Sequence, residues 1–195
     1  MSTTAAKPPG IYREADGSRV AQAEALRVWT PIALEELIAT AGTYNAVVTY
    51  KELALRVQEA SGIRTRVLIT NWIGTLLEQV AILAKERGEP PLTALCVRHD
   101  GTIGDGYLRA PKSVEDPPGA NIDIEMYAAE HRLLCYQKYA KDLPADGGSP
   151  RLTPAVERRR RAKKTAPEPT PFTCPNCFVT LPTTTVCDYC GWSLN

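Results

Sequence analysis

The chain has 195 residues, 44% hydrophobic and 23% charged, which is typical of one ordinary globular domain with a small one attached. It has neither the roughly 20 consecutive apolar residues of a membrane span nor an apolar secretory signal, so we expect a cytoplasmic protein without a membrane partner. The net charge of +1 is uneven: residues 1–150 hold 16 Lys/Arg and 19 Asp/Glu, whereas residues 151–164 hold seven Lys/Arg and one acid.

The start of the chain is expected to contain a flexible segment and one helix. Residues 1–28 open with a stretch rich in Ser, Thr, Ala and Pro and are interpreted as the flexible segment, within which residues 13–28 could form a short helix. Thr30 is a favourable N-cap residue and Pro31 suits the first helical position, so the helix is predicted to begin there. Apolar residues then recur at helical spacing as far as Gly42, which fits the end of the helix.

Two further helices are predicted next. Thr49 and Glu52 have the spacing of a capping box, in which the two residues satisfy each other's backbone N–H groups, and Gly62 closes this second helix. A longer third helix is predicted over residues 64–87, with an apolar face formed by Val67, Trp72, Ile73, Leu76, Leu77, Val80 and Leu83.

A β-hairpin is predicted after the three helices. Residues 92–99 have the pattern of a strand, Asp100-Gly101 is a strong hairpin-turn signal, and residues 102–109 are expected to return as the second strand. A further helix is predicted over residues 120–142. The expected fold class is α+β, with a winged helix-turn-helix-like domain over residues 29–142 and a generic α+β domain as the alternative.

The remainder of the chain is expected to form a linker and a small module. Residues 143–172 are rich in proline and contain the basic tract ERRRRAKK, so they are predicted to be an extended, flexible linker. Residues 173–195 contain four cysteines and are predicted to form the module. We find no internal repeat.

The four cysteines of this module have the spacing of a zinc site. They lie in CPNCFVTLPTTTVCDYC, two C-x2-C pairs separated by nine residues. A cytoplasmic chain does not keep such pairs as disulfides, and the pattern is typical of one tetrahedral Zn²⁺ held by Cys174, Cys177, Cys187 and Cys190. Four thiolates leave no open position, so this Zn²⁺ is expected to be structural and to supply folding energy. The alternative is a redox dithiol.

The module is similar to the short zinc ribbons at the ends of many bacterial and archaeal proteins, whose pattern runs CPxCG…CxxCG. It departs from that pattern at Phe178, where the first glycine is usual. The resemblance implies a docking module for protein or for nucleic acid.

The basic tract is predicted to contact nucleic acid. Each phosphate contact releases condensed counterions, so such a segment adds salt-sensitive affinity without base specificity. The alternative is a solvated linker between two domains. The predicted contacts are Arg158, Arg159, Arg160, Arg161, Lys163 and Lys164.

Three stretches resemble a known DNA-binding domain. They read VVTYKELA at 47–54, IGTLL at 73–77 and DGTIGDGY at 100–107. They resemble the domain of O6-alkylguanine-DNA alkyltransferases and alkyltransferase-like proteins, which reads V-x-TYG-x-LA, then ARxVGxAL, then PCHRV…DGxxGGY. The resemblance implies a helix-turn-helix with a wing, over about 75 residues, and double-stranded DNA as the partner.

The same resemblance implies particular DNA contacts. Tyr50 is at the position of the family's TY tyrosine, which lies against the DNA backbone near the target nucleotide. The family's intercalating arginine corresponds to Asn71 if the chains are aligned on Gly74, or to Arg64 if counted from Tyr50. Arg64 and Arg66 are expected at the start of the third helix, where recognition helices commonly meet DNA, and Arg98 is expected to contribute from the hairpin.

The family's alkyl-accepting cysteine has no counterpart in this sequence. Counting back from Asp100 places Thr93 at its position, followed by Ala94 instead of histidine. Cys96 lies between Leu95 and Val97, an apolar setting in which we expect a buried, unreactive thiol.

A second cysteine is also expected to be structural. His131 and Cys135 have a spacing that suits a metal on a helix, but two ligands without two more are a weak signal. We expect them to lie on a packed helix face.

These patterns favour a non-catalytic DNA-binding protein, either a regulator or an accessory factor of DNA repair or of a mobile element, with no small-molecule substrate. One alternative is a protein–protein adaptor that recruits a larger complex through the zinc ribbon, which the negative balance of residues 1–150 favours. The least favoured alternative is a divergent alkyl acceptor that uses Cys96.

Overall fold

The structure, a computed structural model, describes residues 10–114, 122–165, 172–181 and 186–193. The chain divides into two compact units, Met1–Glu157 and Arg158–Asn195. The helices of the described part are α1 (Gln22–Ala41), α2 (Tyr50–Ser61), α3 (Ile73–Glu86), α4 (Ile124–Tyr139) and α5 (Pro154–Thr165). Its short strands are β1 (Ile11–Arg13), β2 (Val48–Thr49), β3 (Ile63–Thr65), β4 (Cys96–Val97), β5 (Phe172–Thr173) and β6 (Thr180–Leu181). This mixture of helices and two-stranded sheets agrees with the predicted α+β class.

Helix α1 is longer than predicted. It begins at Gln22, and Pro31 lies inside it instead of at its first position. The predicted start was wrong because the turns before Pro31 also bury an apolar face, including Trp29, which is fully buried. Thr30 is not an N-cap, since its hydroxyl donates a hydrogen bond to the Leu26 carbonyl, one turn earlier, at 2.7 Å.

Helix α2 has the predicted capping box. The Glu52 N–H donates to the Thr49 hydroxyl at 3.2 Å, and the Thr49 N–H donates to the Glu52 carboxylate at 2.7 Å. Gly62 ends the helix in the left-handed conformation, with φ of +65°, which only glycine adopts without strain. Both predicted boundaries of this helix are confirmed.

The segment predicted to be a flexible lead contains a strand. Its residues 1–9 lie outside the described part of the chain. Strand β1 pairs antiparallel with β3, with Ile11 opposite Thr65. The predicted third helix therefore cannot begin at residue 64, because its first residues are extended in this pairing. It begins as α3 at Ile73, after a single 3-10 turn at Ile69–Asn71.

The core of the first unit lies among the first four helices. Helix α1 packs against α2, α3 and α4. The rings of Trp29 on α1 and Trp72 just before α3 lie 4.8 Å apart between centroids, and both side chains are buried. Burial of such large aromatic surfaces supplies much of the hydrophobic stabilisation of a small core.

The predicted β-hairpin over residues 92–109 is not formed. Leu92–Leu95 is a 3-10 turn, and β4 pairs in parallel with β2 instead of with a returning strand. The turn at Asp100-Gly101 exists, closed by the Arg98 N–H on the Thr102 carbonyl at 2.8 Å. After the turn, the Ile103 N–H donates to the Glu125 carboxylate at 3.0 Å, so it is not available to a strand partner.

The helix predicted over 120–142 is observed as α4. Asp123 is its N-cap and accepts hydrogen bonds from the N–H groups of Glu125 and Met126, at 3.2 and 3.3 Å. Residues 115–121 lie outside the described part of the chain.

The segment predicted to be an extended linker contains a helix. Helix α5 covers most of the basic tract and runs across the boundary between the two units. The prediction from prolines failed here because Pro154 occupies the first turn of α5, where a missing N–H costs nothing, and no further proline follows within the helix.

The residues that lead into α5 pack onto the first unit. The buried Arg132 guanidinium of α4 donates to the Ala94 and Arg151 carbonyls, each at 3.3 Å. The Thr153 hydroxyl donates to the Gly101 carbonyl at 2.8 Å, and Val156 is buried. Residues 151–157 are thus part of the first unit.

Candidate functional site

A cleft of about 540 Å³ lies between the start of α3 and the segment that follows β4. Its volume falls in the range of roughly 300–1,000 Å³ that is usual for ligand sites. Its walls are apolar and aromatic, with a few polar groups. The principal lining side chains are Tyr50, Ile69, Ile73, Leu77, Thr93, Arg98, Ile103 and Tyr107.

Tyr50 forms one wall of this cleft. It is the first residue of α2, which the capping box holds in place, and burial raises the pKa of its hydroxyl above the usual value. The hydroxyl lies so close to Gly104 that a Cβ at that position would collide with it. The narrow approach of α2 to the segment after β4 therefore requires a glycine at residue 104.

An ion pair lies beside Tyr50 in the cleft. The Arg98 guanidinium donates to the Asp105 carboxylate at 2.5 Å, and this hydrogen bond raises the pKa of the arginine. The two side chains differ in exposure, since Arg98 is 39% exposed and Asp105 is 86% exposed. Another anion can replace the exposed Asp105 carboxylate with little loss of stability, because surface ion pairs stabilise a fold by about 0–1 kcal/mol.

The base of the cleft carries Thr93 and Cys96. Thr93 lies on the 3-10 turn before β4 and is 6% exposed. Cys96 is 1% exposed, and burial raises its pKa far above the usual thiol value. The expected burial of Cys96 is thus observed, and its thiol is poorly suited to form a thiolate.

A packed aromatic group lies behind the cleft. The Tyr107 hydroxyl and the His131 Nδ1 are 2.6 Å apart, and the Tyr127 ring lies 4.1 Å from the His131 ring between centroids. The Cys135 thiol donates to the His131 carbonyl at 3.2 Å, and both residues are buried. They therefore lie on a packed helix face, as expected from the sequence.

The other predicted contacts of this unit lie away from the cleft lining. Arg64 is on β3 and pairs with Glu14 at 2.9 Å. Arg66 and Asn71 are exposed, in the connection between β3 and α3. The prediction that Arg64 and Arg66 stand at a helix start was wrong, because Arg64 is paired with β1 in strand β3 and Arg66 directly follows that strand, with its N–H on the Gly10 carbonyl at 3.0 Å.

Sequence reasoning missed several residues at the cleft. Leu68 is 72% exposed in the turn just before Ile69, which lines the cleft, and Arg109 is on the opposite side. Leu68 fell within the predicted helix over residues 64–87, and nothing in the sequence indicated that its side chain would be exposed. The close approach of Gly104 to Tyr50 could not be predicted either, because the two residues are distant in sequence.

The basic tract is displayed on α5. All six of its cations are exposed: Arg158, Arg159, Arg160, Arg161, Lys163 and Lys164. Cations at i, i+3 and i, i+4 repel one another on a helix by about 0.2–0.5 kcal/mol per pair, so a polyanion bound there would strengthen the helix.

The four cysteines of the second unit form one cluster. Their sulfurs all lie within 4.8 Å of one another, with Cys174–Cys190 and Cys177–Cys187 separated by 3.6 Å. A tetrahedral site with metal–sulfur bonds of about 2.3 Å has sulfur–sulfur separations of about 3.8 Å. The four thiols are therefore placed to hold a metal ion. It is the only such group in the part of the chain that the structure describes.

Two equivalent turns build the cluster. In the first, the Phe178 N–H donates to the Cys174 carbonyl at 2.9 Å. In the second, the Gly191 N–H donates to the Cys187 carbonyl at 2.7 Å. Phe178 and Gly191 are both left-handed, with φ of +57° and +70°. Hydrogen bonds from the Asn176 side chain and then from the Trp192 backbone lower the pKa of Cys190, whereas the pKa of Cys177, although the Val179 backbone donates to it, is raised by desolvation and by the neighbouring thiols. Without a metal ion, Cys190 is therefore the more readily deprotonated of these two cysteines.

The chain matches no protein-family model and has no significant match among curated proteins or solved structures. Among the described residues, no helix has both the length and the apolar character that crossing a membrane requires.

Proposed function

We propose that this chain is a non-catalytic DNA-binding protein, a regulator or an accessory factor of DNA repair or of a mobile element. The observation that carries the proposal is the cleft beside α3. It brings together Tyr50, Thr93 and residues 104–107, which are distant in sequence. Tyr50 and residues 104–107 lie in stretches that resemble alkyltransferase-like domains, and Thr93 is at the position that corresponds to the family's acceptor cysteine. Helix α3 and the segment after β4 would approach the duplex.

The chemistry of the cleft suits a base turned out of the duplex. Such a base needs apolar and aromatic walls for its faces and a few polar groups for its edge. Tyr50 and Tyr107 supply aromatic surface, and the Arg98 guanidinium and the Thr93 hydroxyl are two of the polar groups in the lining. Leu68, exposed beside the cleft, is suited to fill the space that the base leaves, as apolar wedges do in other DNA complexes.

The absence of a suitable nucleophile supports a binding role over an alkyl-acceptor role. The residue at the family's acceptor position is Thr93, whose hydroxyl lacks the nucleophilicity of a thiolate. Cys96 lies nearby, but its burial disfavours the thiolate. A protein with this cleft would hold a base without reacting with it.

The proposed phosphate contacts come mainly from α5. The cleft itself is lined by two arginines, Arg98 and Arg109, and Arg98 is already in an ion pair with Asp105. Helix α5 supplies six exposed cations that can each neutralise a phosphate. We further propose that the four-cysteine cluster holds one structural Zn²⁺, since four thiolates leave no open position for catalysis.

Fluorescence anisotropy of a labelled duplex across a salt series tests the proposal. Two full-length variants are compared with the natural chain: one with the six cations of α5 replaced by Gln, and Tyr50→Ala. Neutralising α5 should reduce the slope of log affinity against log salt by as much as about five. Tyr50→Ala should weaken binding and leave this slope unchanged. A natural chain that fails to bind the duplex at low salt would refute the proposal.

A second candidate, a protein–protein adaptor, is favoured by one observation. Residues 1–150 carry 16 Lys/Arg and 19 Asp/Glu, a balance of −3 that opposes approach to DNA. If the duplex is bound only through α5, so that Tyr50→Ala has no effect, the first unit is better explained as a protein-binding domain.

A further inference from the structure

The four-cysteine module, residues 173–195, exposes two aromatic side chains. Phe178 follows the second cysteine and is 78% exposed, and Tyr189 precedes the fourth and is 80% exposed. Each is next in sequence to a cysteine of the cluster, so both lie close to the metal site. Aromatic rings of this size are usually buried, because each can remove 150–250 Å² of surface from water.

The backbone conformation of Phe178 is a second indication that its exposed ring has a function. Its φ of +57° is left-handed, and the equivalent position of the second turn is occupied by Gly191. A non-glycine residue in this conformation is strained, and strain of this kind clusters at functional sites. A glycine would remove the strain, so a bulky aromatic residue here needs another explanation.

Among the described residues of the module, neither ring is part of the cluster that packs around the cysteines. The residue that packs against the cysteines is Trp192, which is partly buried on the cluster. Two other apolar side chains of the module, Val179 and Val186, are themselves 38% and 46% exposed. Each ring is therefore open to a partner, and we call Phe178 and Tyr189 together the aromatic pair.

The charge of the second unit favours one class of occupant for the aromatic pair. The second unit carries six Lys/Arg, all on α5, and two acids, Glu168 and Asp188. Cations that follow a phosphate backbone, combined with aromatic rings on which bases stack, are the two elements of single-strand recognition. A cationic segment attached to the module favours a polyanionic partner over an ordinary protein surface.

We propose that Phe178 and Tyr189 form a stacking site for the unpaired bases of a single-stranded nucleic acid, with α5 contacting its phosphates. This proposal goes beyond duplex docking, because it concerns the four-cysteine module and another form of nucleic acid; the two proposals share only the cations of α5. Stacking tolerates any base sequence, since every base has a π-face.

The test uses the full-length chain and end-labelled oligo(dT) and oligo(U), which compare DNA with RNA. The variants are Phe178→Gly, Tyr189→Ala and the double variant. Stacking lost at one base weakens binding by about fivefold or more, so each single variant should lose at least that factor for one of the two strands. The salt slope should stay unchanged, because no phosphate contact is removed.

Two controls separate stacking from misfolding. Phe178→Gly relieves the left-handed strain, so its module should be at least as stable and should retain its metal. Tyr189→Phe keeps the ring and should bind like the natural chain. Single-strand affinity within twofold of the natural chain for the double variant would overturn the proposal and would assign the aromatic pair to a protein partner. Duplex binding, measured in parallel, reports separately on the proposed function.

Discussion

The contact between Gly104 and the Tyr50 hydroxyl sets the width of the cleft. Replacing Gly104 by Ala places a Cβ against this hydroxyl, and overpacking of this kind typically costs about 1–3 kcal/mol. We expect Gly104→Ala to lower the free energy of unfolding by about this amount, measured by urea denaturation, and to weaken duplex binding.

Two further variants test the cause. In Tyr50→Phe the hydroxyl is gone and the nearest remaining ring atom lies 3.3 Å from the added Cβ, so Gly104→Ala should be largely tolerated in that background. Gly106→Ala is the matched control, because a Cβ there meets no atom within 4 Å. Equal destabilisation by Gly104→Ala in both backgrounds would show that the hydroxyl is not responsible.

At the scale of elements, the capping box of α2 positions Tyr50. Thr49→Ala removes a cap whose loss usually costs about 1 kcal/mol. The Thr49 N–H and hydroxyl lower the pKa of Glu52. The pKa of Glu52 is therefore lower in the folded protein than in the unfolded chain. Its carboxylate contributes fully to the free energy of unfolding when the pH is above the unfolded pKa, and this contribution is lost as the pH falls through the folded pKa.

We therefore expect Glu52→Gln to destabilise the protein at neutral pH, with the difference from the natural chain disappearing in acid. Denaturation at several pH values measures this. Glu59→Gln, an exposed change in the same helix, should show no comparable loss. A Glu52→Gln deficit that persists unchanged at acid pH would contradict the electrostatic explanation.

Sequence prediction succeeded where the interactions that form an element lie within a few residues, and it failed where they join distant parts of the chain. Helix α2 was predicted correctly because its cap and its terminal glycine act within a few residues. The four-cysteine cluster was predicted for the same reason. The start of α1, the pairing of β3 with β1 and the parallel pairing of β4 with β2 depend on partners distant in the chain. Tyr50 and Arg98, which line the cleft, were singled out from the sequence as DNA contacts, and that role stays a prediction. The close approach of Gly104 to Tyr50 could be seen only in the tertiary structure.

At the scale of the whole molecule, the two units should respond differently to metal removal. The cysteine module is too small for a hydrophobic core, so a chelator should unfold it, whereas the first unit should keep its unfolding midpoint. A thiol reagent measures this. Four thiols should react quickly after chelation, and Cys96 and Cys135 only after denaturation, because both are buried. Slow reaction of all six would contradict the metal site.

The boundary of the first unit can be tested by truncation. A chain ending at residue 157 should unfold like the first unit of the intact protein. A chain ending at residue 150 removes an acceptor of the buried Arg132 and the donor to the Gly101 carbonyl. Unsatisfied buried groups cost about 1–3 kcal/mol each, so the shorter chain should be clearly less stable in thermal denaturation. Equal stability of the two chains would show that residues 151–157 are dispensable.

The anchoring of residues 151–157 also bears on how such a protein could acquire or exchange its C-terminal module. A genetic fusion that joined a new tail at residue 143 or 150 would leave Arg132 without one of its acceptors, whereas a junction within the later turns of α5 would leave the first unit intact. Relatives with different tails are therefore expected to share this chain's sequence through the first turn of α5 and to diverge beyond it.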